Sequence, residues 1–312
     1  MTRIYLINGK EKLAKIELVG YPELDRSKVY LGMFMSFIKL ANQLNRKGDQ
    51  FIKRFGIKEF HKMASELLSD SQIIDKFEIL PIIQSVFNSK NIQHFKNLEF
   101  SDLPVTISQG ESCFIDIYFW RRRPTVIHNH HFTGAFMCLY GSNVDLEFQF
   151  ERTKKLGKFH DLGELTLKQT RNLLPGDIAE IGFMDKFIHQ NHHQADLTVN
   201  LCFRTPQDPK KSLSNYLYSG LRYEKNVDLL ARVGRLHKIL DLGLFDPDKI
   251  KISNDDAINF LIQSHETRSQ NPRLLNLRKE LLKRVKNEFG VSVTSMLKEH
   301  EVMMAKIEND YE

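Results

Sequence analysis

Three cysteines, one tryptophan, nine prolines and sixteen glycines are all that 312 residues contain of those types. Three thiols cannot cross-link a secreted scaffold of this size, so a disulfide framework is excluded and a reducing, cytoplasmic setting is expected. Glycine and proline are too scarce for collagen-like or low-complexity sequence. Long hydrophobic runs are also missing. The longest, Val29 to Leu40, already contains Ser36 and Lys39, and nothing approaches the roughly 20 apolar residues of a membrane span. Met1 to Tyr5 lacks the basic-then-apolar pattern of an export signal, so neither export nor membrane contact is expected. Concentrated positive charge is absent too. The net charge of +6 is spread thinly, and the tight basic run is confined to Arg121-Arg122-Arg123. A nucleic-acid-binding protein would gather its charge on one face, so that class is not expected either.

Histidine is what the chain does have. Seven of its twelve histidines fall between His128 and His193. Around that stretch the hydrophobic period changes twice. Leu31, Phe34, Phe37, Leu40 and Leu44 recur at threes and fours, Phe51, Phe55, Phe60 and Met63 continue the pattern, and Pro81 stands near the start of a further helix. Asn8-Gly9 marks a hairpin ahead of them. From Pro104 the period falls to two: Cys113, Ile115, Ile117 and Phe119 alternate with Phe114, Asp116, Tyr118 and Trp120. Ala135–Tyr140, Val144–Phe150, Ile178–Phe183 and Leu197–Phe203 read as further strands, separated by turns at Gly141-Ser142-Asn143, Leu156-Gly157 and Pro175-Gly176-Asp177. After Pro206 and Pro209 the helical period returns, in Leu229, Leu230, Val233, Leu236, Ile239 and Leu240, then in Ala257–Ser264 and Leu274–Phe289. The expected plan is an α+β chain: an N-terminal hairpin and helices (1–104), an antiparallel β region (105–211) and C-terminal helices (212–312).

On a strand, side chains two apart share a face. His128 and His130 can therefore aim at one point while His131 looks away. A third imidazole must come from another strand, and His189, His192 and His193 are the candidates. Three neutral imidazoles leave open positions on a divalent ion, which catalysis requires and a closed structural site does not. His160, in a charged stretch, is expected to be solvated. His61, His94, His237, His265 and His300 belong to helices or their flanks and are expected to be structural. On Leu197–Phe203, Thr198, Asn200 and Cys202 share a face, and Arg204 extends that row. If this face looks inward, Arg204 could hold a substrate carboxylate or phosphate by a two-pronged contact. One of Arg121, Arg122 and Arg123 could reach the barrel mouth for the same purpose. Trp120 reads as a packing residue.

The order of motifs resembles the cupin superfamily: a strand, His128-Asn129-His130 closing at Gly134, a Pro175-Gly176 turn, and a later strand with one more histidine. Within it, Cys113 to Trp120 followed by Ile127-His128-Asn129-His130 is similar to the cysteine dioxygenase type of thiol dioxygenase, over about residues 105–206. The resemblance implies a cupin-like β-barrel, a double-stranded β-helix, with His128, His130 and a third histidine, matched here to His189, holding Fe(II). Zinc, nickel and manganese also accept imidazole. It implies dioxygen and a small or peptide-sized substrate, with a thiol as one option. Tyr118, Asn200, Cys202 and Arg204 are the side chains placed to act on that substrate. Two departures stand out. The glutamate that usually follows HxH has no counterpart near Gly134-Ala135-Phe136. The Ser-His-Tyr series of thiol dioxygenases is replaced by Asn200, Cys202 and Arg204, so cysteine is not carried over as substrate. The other readings are a cupin metalloenzyme without oxygen chemistry, and a ligand-sensing protein that dimerises or binds a protein partner through its helices.

Overall fold

The computed structural model describes residues 26–88, 101–243, 252–267 and 271–310. The expected hairpin at Asn8-Gly9 and the position of His94 lie outside them. The N-terminal helices are α1 (Arg26–Phe55), α2 (Phe60–Asp70) and α3 (Ile79–Asn88), with a 3₁₀ turn at Ile73–Lys76. On α1 the buried residues Phe37, Ala41 and Leu44 follow the three-and-four spacing, whereas Phe55 ends the helix exposed. None of the described helices is long and apolar enough to cross a membrane.

Among the described residues ten strands follow, and every pairing between them is antiparallel. They are β1 (Leu103–Gln109), β2 (Phe114–Pro124), β3 (Ile127–His130), β4 (Gly134–Tyr140), β5 (Asn143–Lys155), β6 (His160–Leu173), β7 (Ile178–Ile181), β8 (Met184–Arg204), β9 (Ser214–Tyr216) and β10 (Leu221–Glu224). The 21-residue β8 organises the sheet. Its first half pairs with β3 and β5, its second half with β2 and β4, so one strand serves both walls of the interior. The strand expected to carry His189 and the one expected at 197–203 are thus one.

Alternation assigns the faces. Ile115, Ile117 and Phe119 of β2, Met137 of β4 and Val199, Leu201 and Phe203 of β8 pack against Phe37, Phe60, Ala64 and Leu68 of α1 and α2. Phe60 meets Phe203 edge to face, with centroids 5.2 Å apart. Each such side chain contributes about 1.5–3 kcal/mol on burial. The opposite faces of β2 and β8 turn inward, where Tyr118, Phe132, Phe136, Phe187 and Cys202 form the interior cluster.

Two expectations are corrected here. The sheet continues past residue 211, because β9 pairs with β3 and β10 with β6, and helix resumes only at α4 (Val227–Asp241). The remaining helices are α5 (Asn254–Thr267), α6 (Pro272–Phe289) and α7 (Val293–Asp310). They share a core with Leu217 and Leu221 through Val233, Leu240, Phe260 and Leu281, while Ile307 of α7 packs against the cluster that includes Val144, Leu146 and Phe148 of β5.

The second correction is His160, which is wholly buried rather than solvated. Its Nδ1 lies 2.7 Å from Asp255 Oδ1 and its Nε2 3.0 Å from the Asn259 amide nitrogen. With Nδ1–H donating to Asp255, Nε2 accepts from Asn259, and the ring ties the sheet to α5. Asp255 also accepts the backbone N–H groups of Lys158 and Phe159. Burial raises the Asp255 carboxyl, but His160 and those two amides outweigh it and bring it down from 3.8 to about 2. A carboxyl lowered in the folded state contributes stability above its unfolded value and loses it as the pH falls through the folded one. Asp255→Asn is therefore expected to lower the melting temperature at neutral pH. It should also flatten the loss of stability between pH 3.8 and about 2; parallel acid limbs for variant and parent would contradict this.

Candidate metal centre

The inward row of the short strand β3 supplies two imidazoles. His128 and His130 are both buried, with rings 4.7 Å apart, while His131 turns away toward the carbonyl of Lys211. His189 stands opposite His128 in the β3–β8 register. Its ring lies 4.8 Å from that of His128 and 5.0 Å from that of His130. One ligand nitrogen from each of the three histidines falls within 4.8 Å of the others. Among the described residues, this is the group of histidine, cysteine and acidic side chains that could hold an ion. His192 and His193, the alternatives for the third position, are buried but outside it. His193 stacks on Trp120 with centroids 4.7 Å apart and planes at 16°.

The donor set fits a divalent cation on chemical grounds. His128 Nδ1 lies 2.8 Å from the Val126 carbonyl, and His189 Nδ1 lies 2.7 Å from Asp145 Oδ1. Each contact places the proton on Nδ1 and leaves the Nε2 lone pair for a metal. Burial, then neighbouring imidazoles, push His128 down to about 3 and His130 well below the usual histidine range, so both rings are neutral. His130 Nε2 and His189 Nε2 are 2.9 Å apart. Two nitrogens each about 2.1 Å from one ion and at right angles are about 3.0 Å apart, so this pair is spaced as two ligands of one ion would be.

Behind His189, Asp145 is fully buried on β5 and is held by the guanidinium of Arg171 on β6. Burial raises this carboxyl, but His189 and then Arg171 outweigh it and keep it below the usual range. Sequence reasoning passes over Asp145 and Arg171. The signal that could find the first is parity: Asp145 and Glu147 oppose the apolar Val144, Leu146 and Phe148 on a strand whose two faces are both covered.

In front of the histidines is a cavity with about 30 Å³ of enclosed space, or about 390 Å³ with its open mouth included. Tyr118, Asn200 and Cys202 line it as alternation predicts, together with Trp120, Phe136 and Ile181. Burial raises the thiol of Cys202, and its sulfur is outside the three-histidine group. Burial, then Asp116, likewise raises the Tyr118 phenol.

Arg204 is inward but committed. Its Nε lies 2.7 Å from Asp116 Oδ2 and 3.3 Å from the Tyr118 oxygen, and its guanidinium sits over the rings of Phe114 and Phe132. The two-pronged substrate clamp expected of it is corrected accordingly: its charge is neutralised inside the wall. The arginine run is corrected too. Arg121, Arg122 and Arg123 are exposed, and Arg121 and Arg123 pair with Asp102 outside the cavity. Three of the helical histidines make structural contacts: His237 packs on Phe260, His265 meets Glu301, and His300 accepts from the Tyr218 amide.

No protein-family model matches the chain, and no curated protein does. Among solved structures it is similar to a cupin superfamily protein from Desulfitobacterium hafniense, at 15% identity over 34% of this chain and 77% of that one, with a TM-score of 0.23. It is also similar to a DMSP lyase from Ruegeria pomeroyi, at 14% identity over 36% of this chain and 49% of that one, with a TM-score of 0.25. A hydroquinone 1,2-dioxygenase, solved with cadmium and 4-hydroxybenzonitrile, is 11% identical over 41% and 72% of the two chains, with a TM-score of 0.28. Cupins thus stand among the structures this chain is similar to, and the reading of its centre rests on its own geometry.

Proposed function

We propose that this chain is a cupin-type metalloenzyme that binds one divalent ion, iron(II) in the first place, through His128, His130 and His189, and oxidises a small substrate with dioxygen. The observation that carries the reading is the convergence of three buried imidazoles, two with Nδ1 committed to oxygen acceptors. When bound, such an ion supplies Lewis acidity and, if it is iron, one-electron chemistry with dioxygen. The absence of a carboxylate from the cluster leaves the ion's full charge to attract an anionic ligand atom.

The rest is done by the protein's side chains. Asp145 and the Val126 carbonyl hold two rings in orientation. Trp120, Phe132, Phe136 and Ile181 line the cavity with apolar surface that keeps bulk water away from a reacting group. The Tyr118 hydroxyl donates to Asp116 Oδ2 and accepts from Arg204 Nε, which fixes its ring on the cavity wall.

Metal analysis of protein prepared without chelator tests the centre. Close to one equivalent is expected in the parent, and none in a folded His128→Ala/His130→Ala double variant. Equal metal content in both would sink the assignment. Oxygen uptake by the ferrous protein with a panel of thiols and phenols then separates oxygenase chemistry from hydrolysis or isomerisation, which consume no oxygen.

A further inference from the structure

Charge is conspicuously missing from the cavity wall. Among the described residues, no aspartate, glutamate, lysine or arginine lines it. Charged groups next to lining residues are already neutralised: Arg204 by Asp116, and Asp145 by Arg171. A second charged group on a ligand would be buried there without a counter-ion, which proteins avoid. Asn200 differs from its neighbours. It is 3% exposed, lines the cavity, and its Oδ1 has no hydrogen-bond partner among the described residues. A buried amide oxygen left without a donor is uncommon in native proteins and points to a group that arrives with the ligand.

We propose that the cavity takes a thiol or phenol that meets the three-histidine centre through one ionisable group, on an otherwise uncharged body whose hydroxyl or amide hydrogen is accepted by Asn200. The inference rests on the metal-centre reading above and narrows its substrate class. It excludes α-amino acids, whose carboxylate would lie against Phe132, Phe136 and Ile181 with no lysine or arginine in the lining to pair it. Asn200 sets specificity by hydrogen bonding, as an uncharged acceptor.

The test uses the full chain loaded with one equivalent of cobalt(II), because a thiolate bound to cobalt gives a charge-transfer band that reports binding without turnover. Titration with 2-mercaptoethanol, ethanethiol and cysteine compares a hydroxyl, no polar group and two charges on similar frames. Mercaptoethanol is expected to bind more than about tenfold tighter than cysteine, whose carboxylate is unpaired. It should bind about fivefold tighter than ethanethiol, the worth of one hydrogen bond. Asn200→Ala is expected to erase the mercaptoethanol–ethanethiol difference. Asn200→Asp, which adds a counter-charge, should admit the ammonium thiol cysteamine. Cysteine binding as tightly as mercaptoethanol to the parent, or a mercaptoethanol–ethanethiol ratio unchanged in Asn200→Ala, would overturn the inference and leave the metal centre standing. Failure to take up cobalt at all would overturn both.

Discussion

Asparagine in place of Asp145 is expected to weaken metal binding by about 10–100-fold while leaving the fold intact. The side chain is isosteric, and its Oδ1 can still accept the Nδ1–H of His189. What it loses is the negative charge that strengthens that hydrogen bond and raises the basicity of Nε2. Arg171, whose side chain is 23% exposed, can turn toward solvent when its carboxylate is removed. The measurement is a cobalt(II) or zinc(II) titration against a competing chelator, with circular dichroism confirming the fold. Asp145→Ala should cost more than Asp145→Asn, because ring orientation goes along with charge. Equal affinities for parent, Asp145→Asn and Asp145→Ala would mean that the strand alone positions His189.

The layer behind the histidines shows where sequence reading stops. The pairing of His128 with His130 follows from period-two spacing on β3, and the inward row Tyr118, Asn200 and Cys202 follows in the same way. Parity alone does not choose His189 over His193, and it is the β3–β8 register that sets His189 opposite His128. Asp145 does not, because the rule that polar residues face water fails on a sheet covered on both sides. On β5 the apolar row meets α7 and the acidic row meets the histidines. The strand β6 escapes for the opposite reason. Glu164, Thr166, Leu167, Lys168, Gln169 and Thr170 are all exposed, so no alternation marks a buried face. His160 looks like a solvated residue because its partners, Asp255 and Asn259, lie almost a hundred residues away along the chain. For Arg204, strand parity assigns the correct face. A residue pattern cannot reveal that Asp116, on the neighbouring strand β2, has already taken its charge.

Gly134→Ala should be among the most damaging single-methyl changes in the β region. Gly134 opens β4 directly after the histidine motif and pairs with Arg204 of β8. A Cβ placed there would lie 2.2 Å from the Phe203 carbonyl oxygen and 2.8 Å from the Arg204 Cα. Both obstacles are backbone, so no side-chain rotation relieves them, and β4 must move away from β8. That displacement would loosen Phe203 from Phe60 on the outer side and Cys202 and Asn200 on the cavity side. Overpacking of this kind costs about 3 kcal/mol or more, which lowers the melting temperature by roughly 6 °C at about 2 °C per kcal/mol for a large chain. Metal affinity should fall with it, because the chain passes from His130 into β4 through His131, Phe132 and Thr133 alone. Gly234 is the control. It sits inside α4, and a methyl added to its Cα would meet nothing within 4 Å, so Gly234→Ala should stabilise the protein by about 0.5–1 kcal/mol. Thermal unfolding of the two variants side by side decides the matter: equal melting temperatures would mean that β4 and β8 are not held as closely as the Gly134 contact requires.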